Sequence, residues 1–204
     1  MGNSMSTIIN ATTTNGVVIQ PDNSGSLVLQ TNSGTTALTI DTSQNLQLGN
    51  ASASLLNSSG RKIINQTGSI LQVVSATYNT QVTNSTSSYV DTGLTATITP
   101  SSTSSKILVL LHQAEVGKST NNVYIAIQLL RGATVILTPA VSVAYTNSTA
   151  TNHTATVSAA YLDSPATASA VTYKTNFNSQ SNNATAYVQL NNAGSTLTLL
   201  EIAQ

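Results

Sequence analysis

The chain is predicted to be all-β, an N-terminal β-repeat segment followed by a jelly-roll-like β-sandwich. Three observations lead there. Ser and Thr supply 61 of the 204 residues and Asn a further 21, so strand-forming Thr is interleaved with turn-forming Ser and Asn throughout. Charged residues are 6% of the chain, where an ordinary soluble domain carries about 25%. Short aliphatic runs alternate with a period of two and end in polar clusters, and no stretch carries a convincing helical period.

The N-terminal segment, 1–50, contains aliphatic pairs at Val17/Ile19, Leu27/Leu29, Leu38/Ile40 and Leu46/Leu48. Their spacings of 10, 11 and 8 residues leave room for one strand and one turn per repeat, the turns reading PDNSG, TNSG and DTSQN. Two or three buried aliphatics contribute about 4 to 8 kcal/mol, whereas ordering ten backbone residues costs about 10 to 20 kcal/mol. Such a ribbon is expected to order only beside other chains, as a stem or docking segment. The alternative is a flexible Ser/Thr linker, which has no reason to alternate.

Residues 51–68 are small and punctuated by glycine, with Arg61 and Lys62 adjacent, and read as a joint. From 69 to 204 the strands lengthen: ILQVVSA, SSYVDT, LTATIT, KILVLLHQAEV, NVYIAIQLLR, ATVILT, AVSVAYT, TATVSAAYL, SAVTYKTNF, TAYVQL and STLTLLEIA. About ten strands separated by Gly, Asn, Ser or Pro predict a sandwich or jelly roll. In KILVLLHQAEV, Ile107, Val109 and Leu111 share one face while Leu108 and Leu110 share the other. In NVYIAIQLLR, Val123, Ile125, Ile127 and Leu129 form the stronger face and Tyr124, Ala126, Gln128 and Leu130 the milder one. One face of each fills the core. The other, through Leu108, Leu110, Tyr124 and Leu130, is expected to pack against a partner subunit.

The totals exclude several functions. Six basic and six acidic residues give no net charge, against electrostatic capture of nucleic acid. A neutral chain that is 40% apolar is not composed like a disordered one. With no Cys there is no disulfide and no thiol nucleophile. No segment approaches the roughly 18 to 20 apolar residues of a membrane span. MGNSMSTIINATTT lacks the basic and apolar regions of a classical export signal, and Met5 is an alternative start to Met1–Ser4.

The stretches STIINATTTNGVVIQPDNSG, TTALTIDTSQNLQLG, GSILQVVSATYNT, SSYVDTGLTATITPSSTSSKILV, QLLRGATVI and STLTLLEIA resemble virion fibre and spike proteins of tailed bacteriophages. The resemblance covers nearly the whole chain, and its most specific parts are ITPSSTSSKILV and TLTLLEI. It implies a homotrimer, with a slender N-terminal part attached to the particle and a C-terminal trimeric jelly roll of the tumour necrosis factor type that contacts host surface glycans or proteins. Its partners would be other copies of itself and other virion proteins of the tail, the portal region or the capsid. Its place would be the virion, assembled in the host cytoplasm. Tail-fibre proteins often carry longer shafts, so a head fibre or a capsid decoration protein that stabilises the shell is the alternative. The missing export signal argues against a third reading, a cellular surface adhesin.

Little in the chain suggests catalysis. The titratable groups are His112, His153, Asp22, Asp41, Asp91, Asp163, Glu115 and Glu201. His112 and Glu115 are three apart, on opposite faces of a regular strand, and no G-x-S-x-G elbow or metal-binding motif occurs. The chain is therefore expected to be non-enzymatic, with no catalytic residue, no metal and no cofactor. Eight N-x-S/T sequons match what the composition itself supplies. Arg131, at a hairpin turn, is expected to pair with Glu115 or Glu201. A recognition surface should combine aromatics with amide-rich loops. The best fits are Tyr145–Thr154 and Phe177–Thr185, with Tyr145, Asn147, Asn152, His153, Phe177, Asn182 and Asn183 as candidate contacts. The alternative for Tyr145 and Phe177 is that they end strands and cap the core.

Overall fold

The computed structural model describes residues 27–31, 35–43, 46–48, 67–147, 152–180 and 184–204. The chain divides into two compact units, Met1–Ile64 and Asn65–Gln204. Of the expected joint at 51–68, only 67 and 68 fall among the described residues, and the pair Val17/Ile19 lies outside them.

In the first unit, β1 (Leu27–Thr31), β2 (Thr35–Ile40) and β3 (Leu46–Leu48) form an antiparallel sheet in chain order. The repeat spacing sets its register. Leu29 pairs with Leu38 and Leu38 with Leu48, while Leu27 pairs with Ile40 and Ile40 with Leu46, giving two aliphatic rows on one face. Leu29, Ile40 and Leu46 are exposed, so the described strands of the unit leave part of this apolar face uncovered. The turn after β2 is closed by the Ser43 N–H donating to the Asp41 carboxylate at 2.9 Å.

Among the described residues, the second unit holds ten strands. These are β4 (Ile70–Tyr78), β5 (Val82–Asn84), β6 (Val90–Ile98), β7 (Lys106–Lys118), β8 (Ile125–Arg131), β9 (Thr134–Val143), β10 (His153–Asp163), β11 (Val171–Ser179), β12 (Ala186–Val188) and β13 (Ser195–Ile202). The only helical element among the described residues is a 3₁₀ turn at Leu190–Asn192. Apart from the three-residue β5 and β12, the eight long strands pair first with eighth, second with seventh, third with sixth and fourth with fifth: β4 with β13, β6 with β11, β7 with β10, β8 with β9. Additional β13–β7 and β11–β8 pairing closes two facing sheets, β4-β13-β7-β10 and β6-β11-β8-β9. This nested pairing is a jelly roll.

Two pairs of expected strands are each continuous. SSYVDT and LTATIT join as β6 through Gly93, whose positive φ of 85° is open only to glycine at low cost and whose missing Cβ makes room for the Tyr78 ring. ATVILT and AVSVAYT join as β9 through Pro139, tolerated because β9 is an edge strand.

The core follows the period of two. Leu94, Ala96 and Ile98 from β6, Ile107, Val109 and Leu111 from β7, and Leu197 and Leu199 from β13 form one apolar cluster with Leu129, Val171 and Tyr173. Val116, Ile125, Ile127, Val143, Val157, Phe177, Ala186 and Val188 belong to a second. A polar seam also crosses between the sheets. Buried Gln113 donates to Ser195 Oγ at 3.0 Å and accepts from Thr175 Oγ1 at 2.9 Å, and Thr175 meets Thr92 Oγ1 at 2.5 Å. Every end of that amide is paired, which is what makes it tolerable in the interior.

Beyond the seam, β7 bulges. Val157 pairs with Gln113 but Ala155 with Val116, and Glu115 takes φ 44°. The inward positions slip from odd to even, so Val116 and Lys118 point inward. The Gln189 N–H donates to the Ala114 carbonyl at 3.1 Å, giving the bulge a partner.

Candidate recognition surface

The titratable groups are dispersed. Asp163, at the end of β10, accepts from Arg131 Nη1 at 2.9 Å on both oxygens and from the Tyr173 hydroxyl at 2.7 Å. This corrects the expected pairing of Arg131 with Glu115 or Glu201: β8 ends beside the end of β10, in the other sheet. Burial raises the Tyr173 pKa, and the hydrogen bond to Asp163 and its charge raise it further. Glu201, fully buried, accepts from Ser101 N at 2.7 Å, Ser101 Oγ at 2.6 Å and Gln72 Nε2 at 2.6 Å. Burial alone would raise its pKa, but these donors outweigh it and hold it at about 2. The two most specific sequence motifs thus meet in space, Ser101 of ITPSSTSSKILV on Glu201 of TLTLLEI. His112 is exposed, 3.4 Å from Ser158 Oγ, and Glu115 sits in the bulge. No group of three His, Cys, Asp or Glu that could hold a metal ion exists among the described residues.

At the opposite end of the sandwich from the Arg131 turn, four connections gather. The Ser119 N–H donates to Thr185 O at 3.0 Å, Asn122 N–H to Thr146 O at 3.2 Å, Gln180 N–H to Tyr124 O at 2.9 Å and Ser179 N–H to Thr86 O at 3.1 Å. These bonds bring together the loops after β5, β7, β9 and β11. On them Tyr124 and Tyr145 stack, with ring centroids 4.5 Å apart and planes 5° apart. The Tyr145 hydroxyl lies 3.5 Å from Asn122 Oδ1. A hydrogen bond with Tyr124, then its charge, pushes the Tyr145 pKa up. Beneath them the inward-turned Lys118 places Nζ 5.9 Å from the Tyr145 ring centroid and donates to Thr146 Oγ1. Burial lowers the Lys118 pKa.

The sequence-derived contacts divide accordingly. Tyr145, Asn147, Asn152 and His153 are exposed at this end, His153 pairing in the ladder with Lys118. Phe177 is fully buried in the second core cluster, so it caps the core and cannot touch a receptor. Asn182 and Asn183 lie outside the described residues. Lys118 was not legible as part of this surface, because only the bulge turns it inward.

The four expected interface residues do not form one patch, because β7 and β8 lie in different sheets. Leu130 is 6% exposed, between Lys174 and Val135 in the ladders, and Tyr124 belongs to the loop end. Leu108 and Leu110 lie on the outer face of the β4-β13-β7-β10 sheet. There Val73, Leu200, Leu108 and Leu162 stand in one cross-strand row, followed by Ser75, Thr198, Leu110 and Ala160, then Thr77, Thr196, His112 and Ser158. Val73 is 58%, Leu162 49% and Leu110 40% exposed. A second surface, mixed in polarity, lies at the open edge where β9 and β10 face each other unpaired, around a shallow cleft of ≈ 630 Å³ lined by Pro139–Ala144 and Ala155–Ser158, in which Val141 stands beside Ser142, Thr156 and Ser158.

No family model and no curated protein matches the chain. Among solved structures it is similar to VP2 of infectious bursal disease virus in a subviral particle, at 10% identity and TM-score 0.41, over 66% of this chain and 34% of that one. It is also similar to the T=1 particles derived from that virus, at 11% identity and TM-score 0.37, over 67% and 37% of the two chains. The chain spans about a third of the length of the first of these, which it covers to 34%. With TM-scores below 0.5, these likenesses carry no conclusion about activity or partners.

Proposed function

We propose that this chain is a non-enzymatic structural protein of a tailed-bacteriophage virion, a homotrimeric fibre or spike. In this reading the β1–β3 segment is a stem or docking part, and the jelly roll is presented outward with its loop end toward the host surface. The observation that carries the reading is the aliphatic row Val73, Leu200, Leu108 and Leu162 across all four strands of one outer face. Taking each such side chain out of water contributes about 1.5–3 kcal/mol. The aliphatic row and the β9/β10 edge, where Val141 stands among Ser142, Thr156 and Ser158, are two unlike surfaces. Two unlike patches that meet head to tail generate a ring where the rotation between copies closes and an open filament where it does not, whereas a two-fold dimer needs only one self-complementary patch; the proposed trimer is the closed case. The sequence resemblance supplies the virion context, and the exposed aliphatic rows of β1–β3 fit a segment that gains its burial from neighbouring chains.

Native mass measurement of the full chain should give a trimer, and microscopy of the intact particle should place it on a tail or a fibre base. A monomer at micromolar concentration would defeat the ring. Occupancy of capsid three-fold positions would assign the same trimer to shell decoration instead.

A further inference from the structure

We propose that Tyr124 and Tyr145, with Lys118 beneath them and Asn122 beside them, bind a saccharide unit that carries a carboxylate. This rests on the reading that the loop end faces the host surface, and it names the chemistry of that end.

The geometry is that of a prepared platform. The two rings are parallel within 5°, and Tyr124 and Tyr145 remain 39% and 44% exposed. They come from different loops, fixed by the Asn122–Thr146 and Gln180–Tyr124 backbone hydrogen bonds. Both loops pass through left-handed residues, Asn122 at φ 54° and Ala144 at φ 55°. Asn adopts that conformation readily, but an alanine such as Ala144 holds it only where its surroundings impose it. Because the rings stack on one another, the pair offers its exposed outer face and edges, and an aromatic face bordered by amides and hydroxyls suits a ligand with an apolar ring face and a hydroxylated rim; a pyranose has both.

The charge beneath the platform selects further. The ion pairs among the described residues are Arg131–Asp163 and Lys174–Asp91, and neither involves Lys118. Its ammonium is wholly buried against Tyr145 and Thr146. A buried charge is screened less than an exposed one, so a positive potential reaches the platform. That field opposes a cationic ligand, leaves a neutral sugar only stacking and hydroxyl contacts, and favours a carboxylate. A phosphodiester fits less well, because Arg131, the arginine among the described residues, lies at the far end of β8, about 20 Å away along the strand, too far to grip phosphate oxygens in pairs.

The test titrates the full-length trimer with methyl β-glucuronide and, separately, with methyl β-glucoside, following the tyrosine ring resonances by NMR. Saturable shifts with the glucuronide, at least about fivefold tighter than with the glucoside and weakened as salt rises from about 20 to about 500 mM, are expected. Tyr145→Ala should weaken both at least about tenfold, and Lys118→Met should bring the two sugars to the same affinity. Should Lys118→Met misfold, Tyr124→Ala and the salt series decide alone. Binding of neither sugar, equal binding of both by the unaltered chain, or shifts insensitive to Tyr124 and Tyr145 would overturn the proposal. Those outcomes leave the trimer mass and the position on the particle untouched, so the two readings fail separately.

Discussion

The two outer faces of the sandwich are built from equally regular strands, yet they are dressed for different surroundings. On the β6-β11-β8-β9 sheet, Thr97 bonds Thr172 at 2.8 Å, Lys174 pairs with Asp91 at 2.9 Å, and Asn176 and Gln128 sit opposite each other. Its aliphatic Leu130 is covered, and Val135 stands only at the edge. On the β4-β13-β7-β10 sheet the corresponding area carries Val73, Leu200, Leu108, Leu162 and Leu110. Polar alternation is the ordinary state of a solvated antiparallel sheet face. The second face departs from it across one full aliphatic row and half of the next, where Leu110 and Ala160 follow the Ser75–Thr198 hydrogen bond, so the asymmetry marks that side of the sandwich as the apolar part of any oligomer contact.

The largest effect expected from breaking this asymmetry is on assembly. If the proposed trimer forms through this face, Leu108→Asp should convert it to monomer in sedimentation, because a buried unpaired carboxylate costs more than the row contributes. Thr97→Asp on the opposite face should leave the trimer intact, and loss of assembly in both variants would erase the comparison.

Next in size is the clamp that holds the two faces together. Glu201 belongs to β13 of the apolar-faced sheet and grips Ser101, in the loop leaving β6 of the other. Its folded-state pKa is depressed from 4.5 to about 2. The stabilisation is therefore fully present above about pH 4.5 and is lost as pH falls toward 2, an effect of about 3 kcal/mol. Denaturant titrations between pH 6 and about pH 2 should show this loss, and Glu201→Gln should flatten it and lower stability at neutral pH.

A smaller effect is expected at the polar seam. Gln113→Leu removes one hydrogen bond from each of Ser195 and Thr175, which keep Ala114 N–H and Thr92 Oγ1, and should cost about 1 to 2 kcal/mol in thermal unfolding, without changing which face assembles. The smallest is Lys174→Ala. Its ion pair with Asp91 is exposed, so the change should stay within about 0.5 kcal/mol, marking the hydrated face as insensitive.

Much of this was legible in the residues because it is local. The alternation in KILVLLHQAEV separates Ile107, Val109 and Leu111 from Leu108 and Leu110 as the folded sheet does, and the repeat Leu27/Leu29, Leu38/Ile40, Leu46/Leu48 falls on three strands in register. Arg131 shows where such reading stops. Its partner, Asp163, is 32 residues away and in the other sheet, and nothing local distinguishes it from Glu115 or Glu201. Phe177 looked like the start of a loop, but β11 continues to Ser179 and carries its ring into the core. Tyr124 and Tyr145, 21 residues apart in the chain, signalled their exposure but not their stacking.

By itself, then, the sequence determined that the chain folds as strands, that Ile107, Val109 and Leu111 and Val123, Ile125, Ile127 and Leu129 turn inward, and that charged groups are few, since these follow from a period of two and from composition. The nested pairing that makes a jelly roll, the bulge at Glu115 that turns Lys118 inward, and the gathering of an aliphatic row on one outer face were decided by the tertiary structure. Each depends on hydrogen bonds between strands far apart in the chain, and one residue of slip at the bulge exchanges inside for outside in a way no local pattern records.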